Sequence, residues 1–439
     1  MRLRLNSVRE HLRASLFFVP MSAVAGAILA GFAGVAVDRY LVEQAGLPLG
    51  LTSTVESARA LLSTIAAATI TFAGVAFSVS LLIIQLASSQ YSPRVVHALF
   101  RDPFNKRVMA LVVGTFTYCV IVLRAVRSAV ESDGEPVIPS LSVAVAVVLG
   151  IVTILAIVAF IDHNAHAMDV SEILDRVRQE AVAHIHREWT EADRTGATAE
   201  ATGTEFEGPA WVARFAASGW VQQVDAEALL ACLPQDTTAR LETLAGRYAI
   251  SETPLCTVWP PPDDPAALEA RIREAVAIGR TRTMQQDVSY GLRQLADVAL
   301  KALSPGINDP TTAQDAIFHT AAVLGELLRR DPPPAVLRGE GGTCLVLAQQ
   351  HGLGELVGIA FDETRRAAVS QPTVCVYLLE SLHLLDEALR SAGLPDRTAP
   401  LLDQARLVAA GSETADLLPQ DHELVRDAFA KRFGPEPSP

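Results

Sequence analysis

Hydrophobic positions follow two regimes along this chain. In the first they run almost unbroken, in uncharged stretches at 16–37, 60–86, 108–123 and 138–161. A helix needs ~20 apolar residues to cross a ~30 Å hydrocarbon layer, so these stretches predict four membrane spans. The first is longer than the ~7–15-residue apolar core of a cleaved signal peptide and is expected to stay in the mature protein. The third is the shortest, and Arg107 and Arg124 at its ends are placed to snorkel to the interfaces. After Ile161 the pattern changes to amphipathic helical runs mixed with short alternating ones.

Span four leads through FIDHNAHAMD into SEILDRVRQEAVAHIHREW, where Ile173, Val177, Val182 and Ile185 fall on one helical face. Asp162, His166 and Asp169, with His163 beside them, read as a polar collar at the membrane edge, although such spacing also suits a metal or proton site. Positions 195–208 have linker composition. GWVQQVD, GRYAI and PLCTVWP predict strands around a short helix at AEALLACL, and Pro260 to Pro262 close that module. From Pro265 the pattern is helical, beginning with DPAALEARIREAVAIG, and beyond a turn at Pro332 to Pro334 the rest reads as a helical bundle ending in a disordered GPEPSP tail.

The expected fold is thus a membrane all-α N-terminal half of four transmembrane helices, joined to a cytoplasmic α+β half. The expected segments are a four-span domain at 1–161, a helix leaving the membrane at 162–190, a small β-rich module at 191–262, a helical domain at 263–433 and a tail at 434–439.

Span two carries the most information in the first half. No charge occurs between Arg59 and Arg94, and Ser57, Thr64, Thr71, Ser78, Gln85 and Ser92 recur every seven residues. Ala60, Ala67 and Gly74 flank them at three- and four-residue offsets, so small and hydroxylated side chains share one stripe. Two readings stand: a packing seam between spans or subunits, or the lining of a conduit built from copies of the helix around a symmetry axis. A heptad repeat drifts ~20° per turn of the pattern on a straight helix, so either reading implies helix association. The absence of ionisable residues from all four span cores argues against a proton-coupled pump.

The longest polar constellation of the second half lies in GRTRTMQQDVSYGLRQLADVALKALSPGINDPTTAQDAI. Asp287, Tyr290, Arg293 or Gln294, and Asp297 share a helical face. Pro305 and Gly306 break that helix, while Asp309 followed by Pro310 is a strong helix start. The segment is therefore a helix-loop-helix corner, and Arg282, Gln286, Asp287, Tyr290, Arg293, Asn308 and Asp309 are candidate contacts for a ligand or partner.

Composition and charge refine this picture. Half of the 439 residues are hydrophobic, 19% are charged and the mean hydropathy is +0.28, as expected of a membrane protein. The first 161 residues hold 12 basic and 8 acidic side chains; the remainder holds 24 and 41. The acidic second half argues against nucleic-acid binding. Arg2, Arg4, Arg9, Arg13, Arg94, Arg101, Lys106 and Arg107 outnumber the basic residues of the other two loops, Arg39, Arg59, Arg124 and Arg127, so both termini are expected in the cytoplasm. Five isolated cysteines suggest neither a disulfide framework nor a zinc site, and fit a reducing compartment. Walker, GxGxxG, HExxH and GxSxG motifs are absent, so no catalytic residue, metal or cofactor is expected.

FAGVAFSVSLLIIQLASSQYSPRVV, GTFTYCVIVLR, ASGWVQQVD and QQDVSYGLRQLADVALKALSPGINDPTTA, in this order, resemble the bacterial membrane-protein family of domain of unknown function 2254, with SPGINDP its most specific part. The acidic, alanine-rich stretch between Thr190 and Glu207 departs from that pattern. The resemblance implies location rather than activity. The combined expectation is a multi-pass protein of the bacterial inner membrane, a homo-oligomer in the lipid bilayer forming a channel-like conduit with a cytoplasmic assembly or gating domain. The alternative is a non-conducting scaffold or sensor acting through its cytoplasmic half on a partner or small ligand of unknown nature.

Overall fold

The computed structural model describes residues 18–45, 54–90, 103–127, 138–166, 169–191, 208–348 and 350–434. The chain divides into two compact units, with the break after Asp169.

The first unit is helical. Its elements are α1 (Phe18–Ala45), α2 (Val55–Gln90), α3 (Pro103–Ala125) and α4 (Ser140–His166). Among the described residues these four helices are long and apolar enough to cross a membrane. Their outer surfaces are greasy: Leu29, Phe32, Leu155 and Ile161 are all exposed, a surface suited to acyl chains rather than water. Inside, Ala58, Leu62 and Ala66 of α2 pack against Tyr118, Cys119 and Val122 of α3 and Val143 and Ala146 of α4. Further along, Ala76 and the half-buried Phe72 meet Val108, Val112 and Phe160.

Several residues assigned to loops by their charge are drawn into helices, Arg39, Arg59, Arg107 and Arg124 among them. Asp38 belongs to α1 and Lys106 to the first turn of α3, and both are buried. The helices overrun the apolar cores on which the span limits rested.

The second unit begins with α5 (Val170–Glu188) and continues through β1 (Thr190–Glu191), β2 (Trp211–Arg214), β3 (Gly219–Val224), α6 (Ala226–Cys232), β4 (Thr238–Leu241), β5 (Tyr248–Ala249), β6 (Pro254–Trp259), α7 (Pro265–Glu274), β7 (Val276–Gly279), α8 (Val288–Ala302), α9 (Pro310–Leu328), β8 (Arg330–Asp331), β9 (Val336–Arg338) and β10 (Cys344–Val346). Helices α10 (Leu353–Ala368), α11 (Pro372–Ser391), α12 (Ala399–Glu413) and α13 (Pro419–Phe433) complete it. Asp225, Asp264, Asp287 and Asp309 each accept a backbone N–H three residues on, satisfying an orphan amide at the start of α6, α7, α8 and α9.

Among the described residues the strands form a five-stranded sheet ordered β2-β6-β4-β10-β9, a three-stranded sheet ordered β5-β3-β7 and a β1–β8 pair. These sheets draw on residues well beyond Pro262. The VAIG run, expected to prolong a helix, is β7, because pairing with β3 outweighs its local pattern. The bundle expected after Pro332 is interrupted by β9 and β10, and β10 runs parallel to β4. Ala213, Leu241, Val258 and Leu345 from the larger sheet share one core with Val221, Leu268 and Ile272.

Candidate functional site

The small-residue stripe lies on one face of α2. Ser57, Ala60, Thr64, Ala67, Thr71, Gly74, Ser78 and Gln85 are all exposed, whereas Ala58, Leu62, Ala66, Thr69 and Ala76 on the other side are buried. Among the described residues, no other span of the chain covers this stripe. It points away from the unit that α2 belongs to, and a Cβ built on Gly74 would meet nothing within 4 Å. Ser92 lies outside the described residues. Thr71 donates its hydroxyl to the Ala67 carbonyl at 2.8 Å and Ser78 donates to that of Gly74 at 2.9 Å. These two hydroxyl protons are thus spent on their own helix, and what Thr71 and Ser78 offer outward is oxygen lone pairs.

A second polar feature escaped the pattern reading because its residues are scattered singly. Ser142, Thr153 and Asn164 stand eleven residues apart on α4, a spacing that keeps them on one side of a helix. Each takes a partner across the unit. Asp38 accepts the Ser142 hydroxyl at 2.6 Å and the amides of Leu141 and Ser142 at 2.9 and 3.0 Å. Thr153 and Thr115 share a buried hydrogen bond of 3.0 Å. Asn164 and Asn105 exchange two, at 3.1 and 3.2 Å. Interhelical bonds of this kind fix register where no hydrophobic difference exists between helix and lipid.

At the membrane-edge collar, His163 is half-buried against the Phe104 ring and Asp162 is exposed; the His166 side chain lies outside the described residues. Among the described residues no group of three acidic, histidine or cysteine side chains is placed to hold a metal ion.

In the second unit the candidate residues separate into three places. The first is built on Asp287, which is 5% exposed. Arg282 donates to both its oxygens at 2.5 and 3.1 Å, Ser289 donates its hydroxyl at 2.7 Å, and the Tyr290 amide donates at 3.2 Å. The Arg282 guanidinium also lies over the rings of Trp220 and Tyr290. Gly246, at φ 87°, leaves the carboxylate its space: a Cβ there would lie 2.0 Å from Oδ2. Gln286 uses its side-chain amide on both backbone groups of Val224. The second place is Arg293, shared between Asp297 and Glu363, with Glu363 the larger cause that raises its pKa. In the third, Asn308 adopts φ 49° and accepts a bond from Gln371, while Asp309 caps α9. The hydroxyl and amide of Thr312 hold the Asp309 carboxyl below its usual range.

A cavity of about 210 Å³ adjoins the first place. Asp287, Ser289 and Gln286 form one wall, but their bonds are directed into the protein. The other walls include Trp189, Leu241, Leu337 and Leu347, with Glu188 and His351 also bordering it. Burial pushes the Cys375 thiol up to about 11 and the Cys256 thiol to about 12, so neither is a ready thiolate. The residues that sequence spacing missed are Gly246 and Trp220, which approach Asp287 and Arg282 only through the fold.

The chain is 30% identical over 445 residues to the uncharacterised proteins Rv1290c of Mycobacterium tuberculosis (strain ATCC 25618 / H37Rv) and Mb1321c of Mycobacterium bovis, covering 98% of this chain and 82% of each relative. No solved structure matches it. The family model described as "Predicted membrane protein (DUF2254)" matches residues 13–383. With four apolar helices in its first unit and a match across most of its length, this chain belongs to the DUF2254 family of predicted membrane proteins.

Proposed function

We propose that the protein is a homo-oligomer of the bacterial inner membrane in which copies of α2 meet through their small-residue faces around a shared axis, bordering a conduit for ions or small solutes. The observation that carries this reading is the exposed row of Ser57, Ala60, Thr64, Ala67, Thr71, Gly74 and Ser78, flanked by the exposed Val75 and Leu82, which sets small and hydroxylated side chains where a lipid-facing helix would gain from large aliphatic groups throughout. Lone pairs turned outward suit cations better than anions. The distribution of basic loop residues favours a cytoplasmic location for both termini and for the second unit, which would then serve assembly and gating. Cation flux through purified protein in liposomes tests the proposal. Flux above that of empty liposomes, abolished by Ser78→Trp, is the expected result; no flux, or flux indifferent to Ser78→Trp, overturns it.

A non-conducting, membrane-anchored sensor draws its support from the cavity beside Asp287. In that reading Leu337→Trp, which fills the cavity, alters partner capture or oligomer size while liposomes remain impermeable.

A further inference from the structure

We infer that the seat of α5 on α8 and α9 is a proton-sensitive latch, closed at neutral pH and released as His184 and His319 take up protons. Helix α5 is the first element of the second unit and follows span four after three residues. Ile173, Leu174, Val177, Ala181 and Ile185 make its buried face. The approach to α8 is tight, since a Cβ on Gly291 would stand 2.8 Å from that of Ala181. One turn further along α5, His184 is only 2% exposed and neither ring nitrogen has a hydrogen-bond partner. On α9, the Nδ1 of His319 is likewise buried without a partner.

A neutral imidazole tolerates such a position far better than an imidazolium, whose two N–H groups both need acceptors. The surrounding charges offer little relief. His184 is influenced by Arg187 on its own helix and by Asp287 at the start of α8. Asp287 already accepts from Arg282, Ser289 and Tyr290, and the positive end of the α8 dipole lies beside it. From α9 and the residues after it come Glu326, bonded to His186, and Arg330, bonded to the Trp189 carbonyl. His319 is influenced by Asp175 and Arg178 of α5, which pair with each other, and by Asp315 of α9, which accepts the Ser171 hydroxyl.

Burial accordingly holds both histidines below their ordinary pKa of 6.5. A base with a depressed folded pKa gives stability that is complete above 6.5 and is lost as pH falls from there toward the folded value. Both partners of the His186–Glu326 pair are substantially exposed, so the pair adds little to the seat. The Arg178 guanidinium keeps the Asp175 carboxyl below its usual range, so its charge is retained where the histidines begin to take up protons.

Hydrogen–deuterium exchange of the full-length protein in lipid nanodiscs, at pH 7.5 and 5.5 and corrected for intrinsic rates, tests the latch. Amides of 170–188 should lose protection at the lower pH, by at most about tenfold per pH unit for each histidine, while those of α11 hold theirs. The double variant His184→Leu, His319→Gln should keep α5 closed at pH 5.5. Unchanged wild-type protection, or a double variant that opens as the wild type does, overturns the inference. Exchange of the imidazole C2 hydrogens in the wild type gives a readout that does not depend on variant folding: midpoints below 6.5 at His184 and His319 support the latch, and midpoints at or above 6.5 overturn it.

Discussion

Asp38 and Ser142 are 104 residues apart in the chain, yet the carboxylate of one takes the hydroxyl of the other at 2.6 Å. With the amides of Leu141 and Ser142 also bound, α1 supplies the N-cap that α4 lacks in its own sequence. The first amides of a helix have no intrahelical partner, and an apolar surrounding makes that costly.

Replacing Asp38 by Ala is therefore expected to lower the stability of the first unit by about 2–3 kcal/mol, and Asp38→Asn by about 1 kcal/mol, since the amide oxygen still accepts. Unfolding of the purified protein in mixed micelles measures both. Equal losses for the two variants would show that the carboxylate is not acting as a cap.

The bond between Thr115 and Thr153 predicts a smaller effect. A double-mutant cycle with Thr115→Val and Thr153→Val should return a coupling of about 0.6 kcal/mol and at most about 1.7 kcal/mol, the range for interhelical bonds within membranes. Strictly additive losses would contradict a direct bond.

Gly246 predicts a large one. Gly246→Ala puts a Cβ 2.0 Å from an Asp287 oxygen at φ 87°, and should destabilise the second unit by about 3 kcal/mol or more. Gly306→Ala, where a Cβ meets nothing within 4 Å, should stay within about 0.5 kcal/mol of the parent. Thermal melts of the two variants side by side decide between a specific clash and a general intolerance of alanine.

Asp309 predicts a further acid-sensitive step, separate from that of the histidines. Its carboxyl pKa is depressed by Thr312, so the stability it supplies is full above the ordinary value of 3.8 and is lost as pH falls through the depressed one. Asp309→Ala should cost about 1 kcal/mol at neutral pH, a deficit that shrinks on acidification. A deficit independent of pH would assign the loss to packing instead.

What the chain reveals in advance follows the range of the forces involved. The four long apolar helices are legible because each is written as an unbroken apolar run, and β3, β5, β6 and α6 are legible because local alternation and turn residues frame them. VAIG is misread as helix, since its strand character comes from β3, and β10 is invisible locally because its parallel partner β4 lies across the fold. The hydroxyl stripe of α2 is plain in the heptad spacing, but its direction is set by Leu62 and Ala66 seating against α3 and α4. Asp287 and Arg282 stand out as charges near a helix start, whereas Gly246 and Trp220, which complete their surroundings, carry no local signal.

The central claim is that the face of α2 bearing Thr71 and Ser78 meets the same face of another copy. Oxidative cross-linking of single cysteines placed from residue 67 to 78, in native membranes and on a background with Cys119, Cys232, Cys256, Cys344 and Cys375 all replaced by Ala, tests it most directly. Covalent dimers are expected at Ala67, Thr71, Gly74 and Ser78, with little at Ile70 and Phe77. Dimers peaking at Ile70 and Phe77, or monomers at every position, would contradict it.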